Sequence, residues 1–373
     1  MPGAITVRAV SGRREFRRFI DYAYERNASD PHWIAPLRMS EHDRLTPRNN
    51  PFFAHADVQL FLAWRDGIVA GRIAAIDDRL HNQVHGDNTG MFGFFEAGDR
   101  QVAGALLGAA ESWAKQHGRT SLRGPLNPSM NESAGLLVEG YETDPMLLMP
   151  HNPPEYPEFV EAAGYRKVKD LFAWLYDLDR DEPPVVLRLA ERVRRRARIV
   201  VRPLDVREFA READRMREIY CGAWTDNWGF VPPTPDEFRR IANEMKPIFD
   251  PRCAVCAEVD GRPVACAIAV PDINQALKGT NGRLVPHVLI RLLRRKRYID
   301  QIRLLLLGVL PEYRTHGLYP LLVSELRRQV GGATYRRAEF SWVLEDNRDI
   351  NQPAEQAGAR LYKRYRIYQK ALA

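Results

Sequence analysis

No stretch of about 18 uninterrupted apolar residues occurs in the chain, so none of it reads as a transmembrane helix. The N-terminal segment MPGAITVRAVSGRREF also lacks the continuous apolar core of a secretory signal. A cytoplasmic protein is expected. Cysteine is scarce: Cys221, Cys253, Cys256 and Cys266 are too few for a disulfide framework in a chain of 373 residues. The CxxC of RCAVCAEV has no second ligand pair nearby, and no metal is expected. Compositionally biased stretches are missing as well, which leaves no candidate for a disordered tail.

What remains is an ordinary globular composition, 28% charged and 45% hydrophobic, in a chain long enough to bury two cores. The net charge of +7 admits nucleic acid, anionic lipid or a polyphosphate cofactor and separates none of them.

Self-similarity is the most informative signal. FLAWRDGIVAGRIAAIDD reads as two alternating strands joined by an Asp-Gly turn at Asp66 and Gly67. VCAEVDGRPVACAIAVPD repeats that form at Asp260 and Gly261, 194 residues later. REF at Arg14–Phe16 recurs at Arg207–Phe209, and DPHWIAP around Trp33 is echoed by TDNWGFVP around Trp228. FVEAAGYRKV with Gly164 matches PAEQAGARLY with Gly358, again 194 residues on. Each half reads in one order: amphipathic helix, hairpin, apolar strand, helix, strand, short helix ending in Gly, and a last strand. The second long helix is marked by Leu318, Leu321, Leu322 and Leu326 on one face. The fold class is α/β, duplicated.

This order resembles the GCN5-related N-acetyltransferase (GNAT) fold in tandem, over essentially the whole chain. The resemblance implies two domains, 1–182 and 183–373, each a mixed central sheet flanked by helices. Tandem copies of the fold also occur in N-myristoyltransferases and in aminoacyl-tRNA-dependent peptidyltransferases. In the family, acyl-coenzyme A lies where the fourth strand feeds the third helix, its pyrophosphate held by backbone N–H groups of a [QR]xxGx[GA] loop. Free N–H groups and the helix dipole favour phosphate at such a place. Here the loop is Arg314-Thr315-His316-Gly317-Leu318-Tyr319, with Tyr319 where Gly or Ala is usual. Gly317 also suits a plain tight turn. The N-terminal half has FFEAGDRQVAGALL at the same place, where Glu96 and Asp99 would repel a phosphate. The cofactor is therefore expected on 183–373 alone.

Further residues carry expected roles. Asn347 matches the family asparagine that holds the cofactor arm, whereas Ala354 replaces a frequent tyrosine acid. Tyr319 or Tyr313 could protonate the departing thiolate in its place; either also serves as a packing aromatic. An alkylamine, with a pKa near about 10, is mostly protonated at neutral pH, so a base is useful. Glu345, beside Asp346 at the end of the fifth strand, is the preferred base; its plain alternative is a solvated turn. Backbone N–H groups near Val309 would meet the oxyanion. In the N-terminal half, the long loop LRGPLNPSMNESAGLLVEGYETDPMLLMPHNPPEYPEF presents Asn127, Ser129, Asn131, Glu132, His151 and Asn152. These are candidates for binding an acceptor head group and, equally, good turn formers.

An insertion of the second half, NQALKGTNGRLVPHVLIRLLRRKRYIDQIR, sets Val285, Val288, Leu289, Leu292 and Leu293 at helical spacing, with Arg291, Arg294 and Arg297 opposite. A surface helix covering the core has this pattern, and so does a helix at an anionic lipid surface. ERVRRRARIVVR between the halves adds a second basic cluster. Neither cluster is interleaved with aromatics, which disfavours nucleic acid. The GP-x-NPSMN segment, basic insertion, LPEYRTHG loop and SWVLEDN segment together resemble a bacterial group of tandem acetyltransferase-like proteins that includes ceramide synthases. That resemblance implies an acyl-coenzyme A-dependent N-acyltransferase without metal. A long acyl chain would pass to a sphingoid-type or other lipidic amine at the inner face of a membrane, the N-terminal half shaping the acceptor site. The alternatives are an aminoacyl-tRNA-dependent transferase and a non-catalytic acyl-coenzyme A-binding regulator.

Overall fold

The structure is a computed structural model and describes residues 3–196, 198–331 and 335–373. It divides into two compact units: Met1–Phe172 with Leu277–Val285 and Lys363–Ala373, and Ala173–Ala276 with Pro286–Tyr362.

The first unit opens with β1 (Ile5–Ala9), α1 (Gly12–Arg26) and α2 (Arg38–Arg44), followed by the hairpin of β2 (Ala56–Arg65) and β3 (Ile68–Asp78). Next come α3 (Arg79–His85), β4 (Thr89–Ala97), α4 (Arg100–Gln116), β5 (Ser121–Gly124), β6 (Leu136–Glu139), α5 (Tyr156–Ala162) and β7 (Arg166–Asp177). The second unit repeats the plan after an extra helix, α6 (Pro184–Arg194): β8 (Ile199–Pro203), α7 (Phe209–Trp224), α8 (Pro235–Met245), β9 (Ala254–Val259) and β10 (Arg262–Pro271). It continues through α9 (Asn274–Leu277), α10 (Pro286–Leu293), α11 (Arg295–Tyr298), β11 (Gln301–Val309), α12 (Leu318–Val330), β12 (Arg337–Leu344) and α13 (Arg348–Gln356), after which β13 (Arg360–Ala371) belongs from Lys363 onward to the first unit.

Both hairpins turn as their sequences predict. Asp66 and Gly67 have φ of 51° and 78°, Asp260 and Gly261 of 50° and 78°. Paired positive φ values are those of the type I′ turn, whose twist matches that of the flanking strands. Within the first unit the strand order is β1-β2-β3-β4-β5-β13, and within the second β12-β11-β10-β9-β8. Only β4 with β5 and β11 with β12 run parallel among the registered pairs of the described residues.

One long helix lies on each sheet because apolar residues recur every three or four positions. Val102, Ala103, Leu106, Leu107 and Ala110 of α4 bury against Ala63, Ile73 and Ala75. Leu318, Leu321, Leu322, Leu326 and Val330 of α12 bury against Val255, Ala257, Val264, Ala267 and Ile302. Each buried leucine contributes about 1.5–3 kcal/mol relative to exposure.

The last strand of the chain completes the sheet of the first unit. Tyr368–Ala371 pair antiparallel with Gly124–Ser121, and Arg364–Arg366 pair with β6. Tyr365, Ile367 and Tyr368 are wholly buried there. Arg366 makes two hydrogen bonds to the Asp170 carboxylate, at 2.8 and 3.1 Å. Three large apolar bodies are lost if the strand is removed. A chain ending at Tyr362 is therefore expected to lose protease resistance across residues 1–172, measured by limited proteolysis and mass spectrometry; a cleavage pattern identical to that of the full chain contradicts this account.

Candidate active site

In the second unit the chain passes from β11 to α12 through a 3-10 turn over Pro311–His316, and Gly317 then adopts left-handed backbone, φ 76° and ψ 26°. Glycine does so without the Cβ penalty of other residues. Space is short as well: a Cβ on Gly317 would stand 2.9 Å from Val193 Cγ2 of α6. No side chain caps α12, so its first N–H groups are left for water or a ligand. Pro320 has no N–H, and the donors come from the residues before it. With the positive end of the helix dipole they make a cradle suited to phosphate.

Arg314 turns away from this cradle. Its Nη2 donates to the Ala223 carbonyl at 3.0 Å, and Nη1 lies 3.7 Å from the Asp226 carboxylate. Thr315 is exposed, while Leu318 is buried in the core and offers only its backbone. His316 packs on Tyr313, ring centres 5.4 Å apart, and its carbonyl accepts a hydrogen bond from Arg196 Nη1 at 3.2 Å. Tyr319 is half-buried against the core of the unit. Burial raises its hydroxyl above the ordinary value of 10.0; Arg314 opposes that shift and Asp349 adds to it. The phenol is therefore protonated at neutral pH.

Beyond the cradle the two parallel strands part. β11 and β12 pair from Gln301 with Arg337 as far as Leu304 with Phe340, after which each runs on without a registered partner in the other. Val309 is wholly buried at the far end of β11 and pairs with Ala265 of β10. Trp342, on the free part of β12, has φ of 47°, a genuine outlier for a bulky residue. Glu345 is half-buried in the turn after β12, where its carbonyl accepts from Asn351 Nδ2 at 3.3 Å. Asn347 opens α13 through its carbonyl, which accepts from the Asn351 amide at 3.0 Å, and its side chain makes no cap.

Sequence reasoning missed a buried polar group beside the parting strands. Arg303 and Glu339 are directly opposite in register, 2% and 0% exposed, with Nε 3.3 Å from the carboxylate. Arg303 also donates to Ser341 Oγ at 2.7 Å and stacks 4.5 Å over Trp342; Tyr362 donates to Glu339. Breaking a buried pair on one side leaves an uncompensated charge, so the group fixes this wall of the site. Its sequence signal, a charge inside each apolar strand, becomes a pair once the register is known.

The corresponding places in the first unit are closed. Asp99 caps α4, its carboxylate accepting from the amides of Gln101 and Val102 at 2.9 and 3.0 Å, and Arg65 pairs with it at 2.5 Å. The Arg65 hydrogen bond holds the Asp99 carboxyl below its ordinary range. A carboxylate thus already occupies the anion position. Glu96 points inward, accepting from the Tyr156 hydroxyl at 2.8 Å, and burial pushes its carboxyl up. The gap beside β4 is filled by the loop after β5: Asn127 Oδ1 accepts from the Phe94 amide at 2.5 Å and the Phe92 carbonyl from the Leu126 amide at 2.8 Å.

The other polar residues of that loop have local partners too. Ser129 Oγ accepts from the Asn131 amide at 3.3 Å, and Glu132 pairs with Arg44 at 3.2 Å. His151 Nε2 lies 3.0 Å from Asp30; burial lowers its pKa, with Asp30 opposing. Asn152 Oδ1 accepts from the Leu137 amide at 2.7 Å, and its Nδ2 donates to the Pro153 carbonyl at 2.9 Å.

The basic insertion forms two short helices, broken at Arg294, in place of the single face expected over 285–297. Val288 is wholly buried and Leu292 packs on the core, while Leu289, Ile290 and Leu293 are exposed at 50%, 50% and 86%. Successive residues on a helix lie about 100° apart, so 288/292 and 289/293 form separate stripes. Arg291 bends back to donate to the Ala276 carbonyl at 3.2 Å, while Arg294, Lys296 and Arg297 remain exposed. Among the described residues no helix is long and apolar enough to cross a membrane. Burial raises the thiols of Cys253 and Cys256, each to about 12, which keeps them protonated.

A duplicated mixed α/β unit in which one copy keeps an open helix end while the other has closed it has the fold of the tandem GNAT class. It is 40% identical over 378 residues to the bacterial ceramide synthase of Caulobacter vibrioides, covering 99% of this chain and 98% of that protein. It is 35% identical over 374 residues to protein YghO of Escherichia coli K12, covering 98% and 95%. The chain therefore belongs to the family that contains these two proteins. The fold is also that of a tandem GNAT protein from the clavulanic acid biosynthesis pathway, with a TM-score of 0.57, 99% of both chains covered and 14% identity. No protein-family model matches the chain.

The closed helix end has a measurable stability. Replacing an N-cap carboxylate by Ala typically costs about 0.5–2 kcal/mol, so Asp99→Ala is expected to lower the unfolding free energy by that amount in urea at pH 7. Because Arg65 depresses the Asp99 carboxyl below 3.8, the wild-type advantage is complete above that pH and vanishes as the pH falls through the depressed value. An advantage that does not decline in acid contradicts the capping role.

Proposed function

We propose that the second unit binds an acyl-coenzyme A at the open end of α12 and transfers a long acyl chain to a lipidic amine. The cradle of N–H groups before Pro320 fits the pyrophosphate, and the closed counterpart in the first unit supports a single cofactor site on 183–373. The donor supplies an activated thioester carbonyl; the protein orients it and moves protons. Glu345 accepts the proton as the amine nitrogen attacks that carbonyl, and backbone N–H groups near Val309 stabilise the oxyanion. The carbon–sulfur bond then breaks, and Tyr319, which burial keeps protonated at neutral pH, donates its hydroxyl proton to the departing thiolate. Asn347 contributes to holding the pantetheine arm.

One observation carries the lipid reading: Leu289, Ile290 and Leu293 stand in solvent beside Arg294, Lys296 and Arg297. Exposed leucines on a basic helix suit an anionic lipid surface. The bacterial ceramide synthase in the same family supports an acceptor of sphingoid type.

The direct experiment is free-thiol release from a series of acyl-coenzyme A thioesters with sphingoid, amino-acid and polyamine acceptors. Long-chain donors with a sphingoid base are expected to be the best pair. Each buried methylene contributes roughly 0.8 kcal/mol, so four more carbons in an apolar groove change affinity by more than about a hundredfold. Leu289→Ser with Leu293→Ser is expected to abolish sedimentation with anionic vesicles, and high salt to weaken it in wild type. Equal activity with acetyl and palmitoyl donors, and no vesicle binding at low salt, reject the lipid reading.

Glu345→Gln is expected to lower kcat by about 10² to 10⁴, with little change in KM for the donor. A loss below about tenfold shows that the base is elsewhere.

A further inference from the structure

The last turn of α6 wraps the loop that opens α12. Val193 is buried beneath Gly317, and Arg196, three residues on, donates to the carbonyl of His316 at 3.2 Å. That carbonyl directly precedes Gly317, so a guanidinium is held at the edge of the cradle. Arg195 is exposed beside it, with no side-chain partner among the described residues. Arg194 is committed to Glu325 at 2.9 Å, and the loop's own Arg314 is bound to Ala223. The positive side chain held at this loop thus comes from just past the end of α6, at Arg196. Nδ1 of His316, in the same loop, is buried without a partner among the described residues, a polar atom that a bound ligand would satisfy.

We propose that Arg195 and Arg196 bind the 3′-phosphate on the ribose of coenzyme A, an inference that rests on reading the α12 loop as the cofactor site. Coenzyme A presents two phosphate groups of different kinds. The pyrophosphate suits backbone N–H groups at a helix end, whereas the 3′-phosphate is a terminal monoester of higher charge. Guanidinium is the group that meets such an oxygen array in a bidentate manner. Arg196, anchored by a carbonyl of the loop, places that charge beside the pyrophosphate cradle, and Arg195 adjoins it in the chain. The basic run between the halves, which composition alone offers equally to anionic lipid, is in this way assigned to the cofactor.

The test compares equilibrium binding of coenzyme A and 3′-dephospho-coenzyme A to the full chain, wild type and Arg195→Gln with Arg196→Gln. Wild type is expected to prefer coenzyme A by about tenfold or more, the loss that accompanies one charge-assisted hydrogen bond. The double variant is expected to bind both compounds alike, with the affinity wild type has for the dephospho form; that retained affinity also reports an intact fold. Sedimentation with anionic vesicles is expected to be unchanged. A double variant that keeps the wild-type preference, or a wild type without one, overturns the proposal. So does a variant that loses vesicle binding while keeping the preference, which returns the arginines to lipid. Absence of binding by either compound to wild type removes the cofactor site itself, and the inference with it.

Discussion

A helix begins with amide groups that the helix itself cannot satisfy, and the way each copy of the fold meets that requirement decides what it can do. In α4 the requirement is met from within, by Asp99 with Arg65 behind it. In α12 it is left unmet by any side chain, because Gly317 stands at the N-cap position and has none. Two copies of one plan therefore differ in the electrostatics of a single turn. The difference is reinforced a few residues away, where Asn127 fills the gap beside β4 and, among the described residues, nothing equivalent registers between the free parts of β11 and β12.

The second unit surrounds its open turn with elements that the first does not have. α6 supplies a valine that closes the back of Gly317, and Arg196 just beyond it ties down His316. Arg303 and Glu339 fix the relation of the two parting strands from the buried side. An isolated charge at either position would be strongly destabilising, so the pair constrains both strands at once. Rigidity behind the site and open donors in front of it arise from different parts of the chain, with no shared sequence motif.

The duplication was legible because it rests on local signals. Asp-Gly pairs require positive φ and were placed correctly in both hairpins, and the leucine periodicity of α12 was enough to identify its buried face. Gly164 and Gly358, in corresponding places, both take left-handed backbone. What the sequence hid depends on packing between distant residues. Arg314 matches a loop motif, yet its guanidinium is drawn to Ala223 and Asp226. Glu96 reads as a charge beside the loop, but Tyr156 and the protein interior hold it inward. Leucines 289 and 292 share one apolar pattern on paper, although only Leu292 faces the core. Periodicity defines a stripe on a helix and leaves open which part of it is covered.

The use of the final strand by the first unit has a consequence for the order of biosynthesis. A ribosome delivers residues 1–172 long before it delivers 363–373, the strand that carries Tyr365, Ile367 and Tyr368. Domains usually mature in the order in which they are made, N-terminal first. Here the earlier unit waits for residues 363–373, with the face that receives those three side chains uncovered in the meantime. An early stop codon in the second half therefore takes a strand from the first half as well.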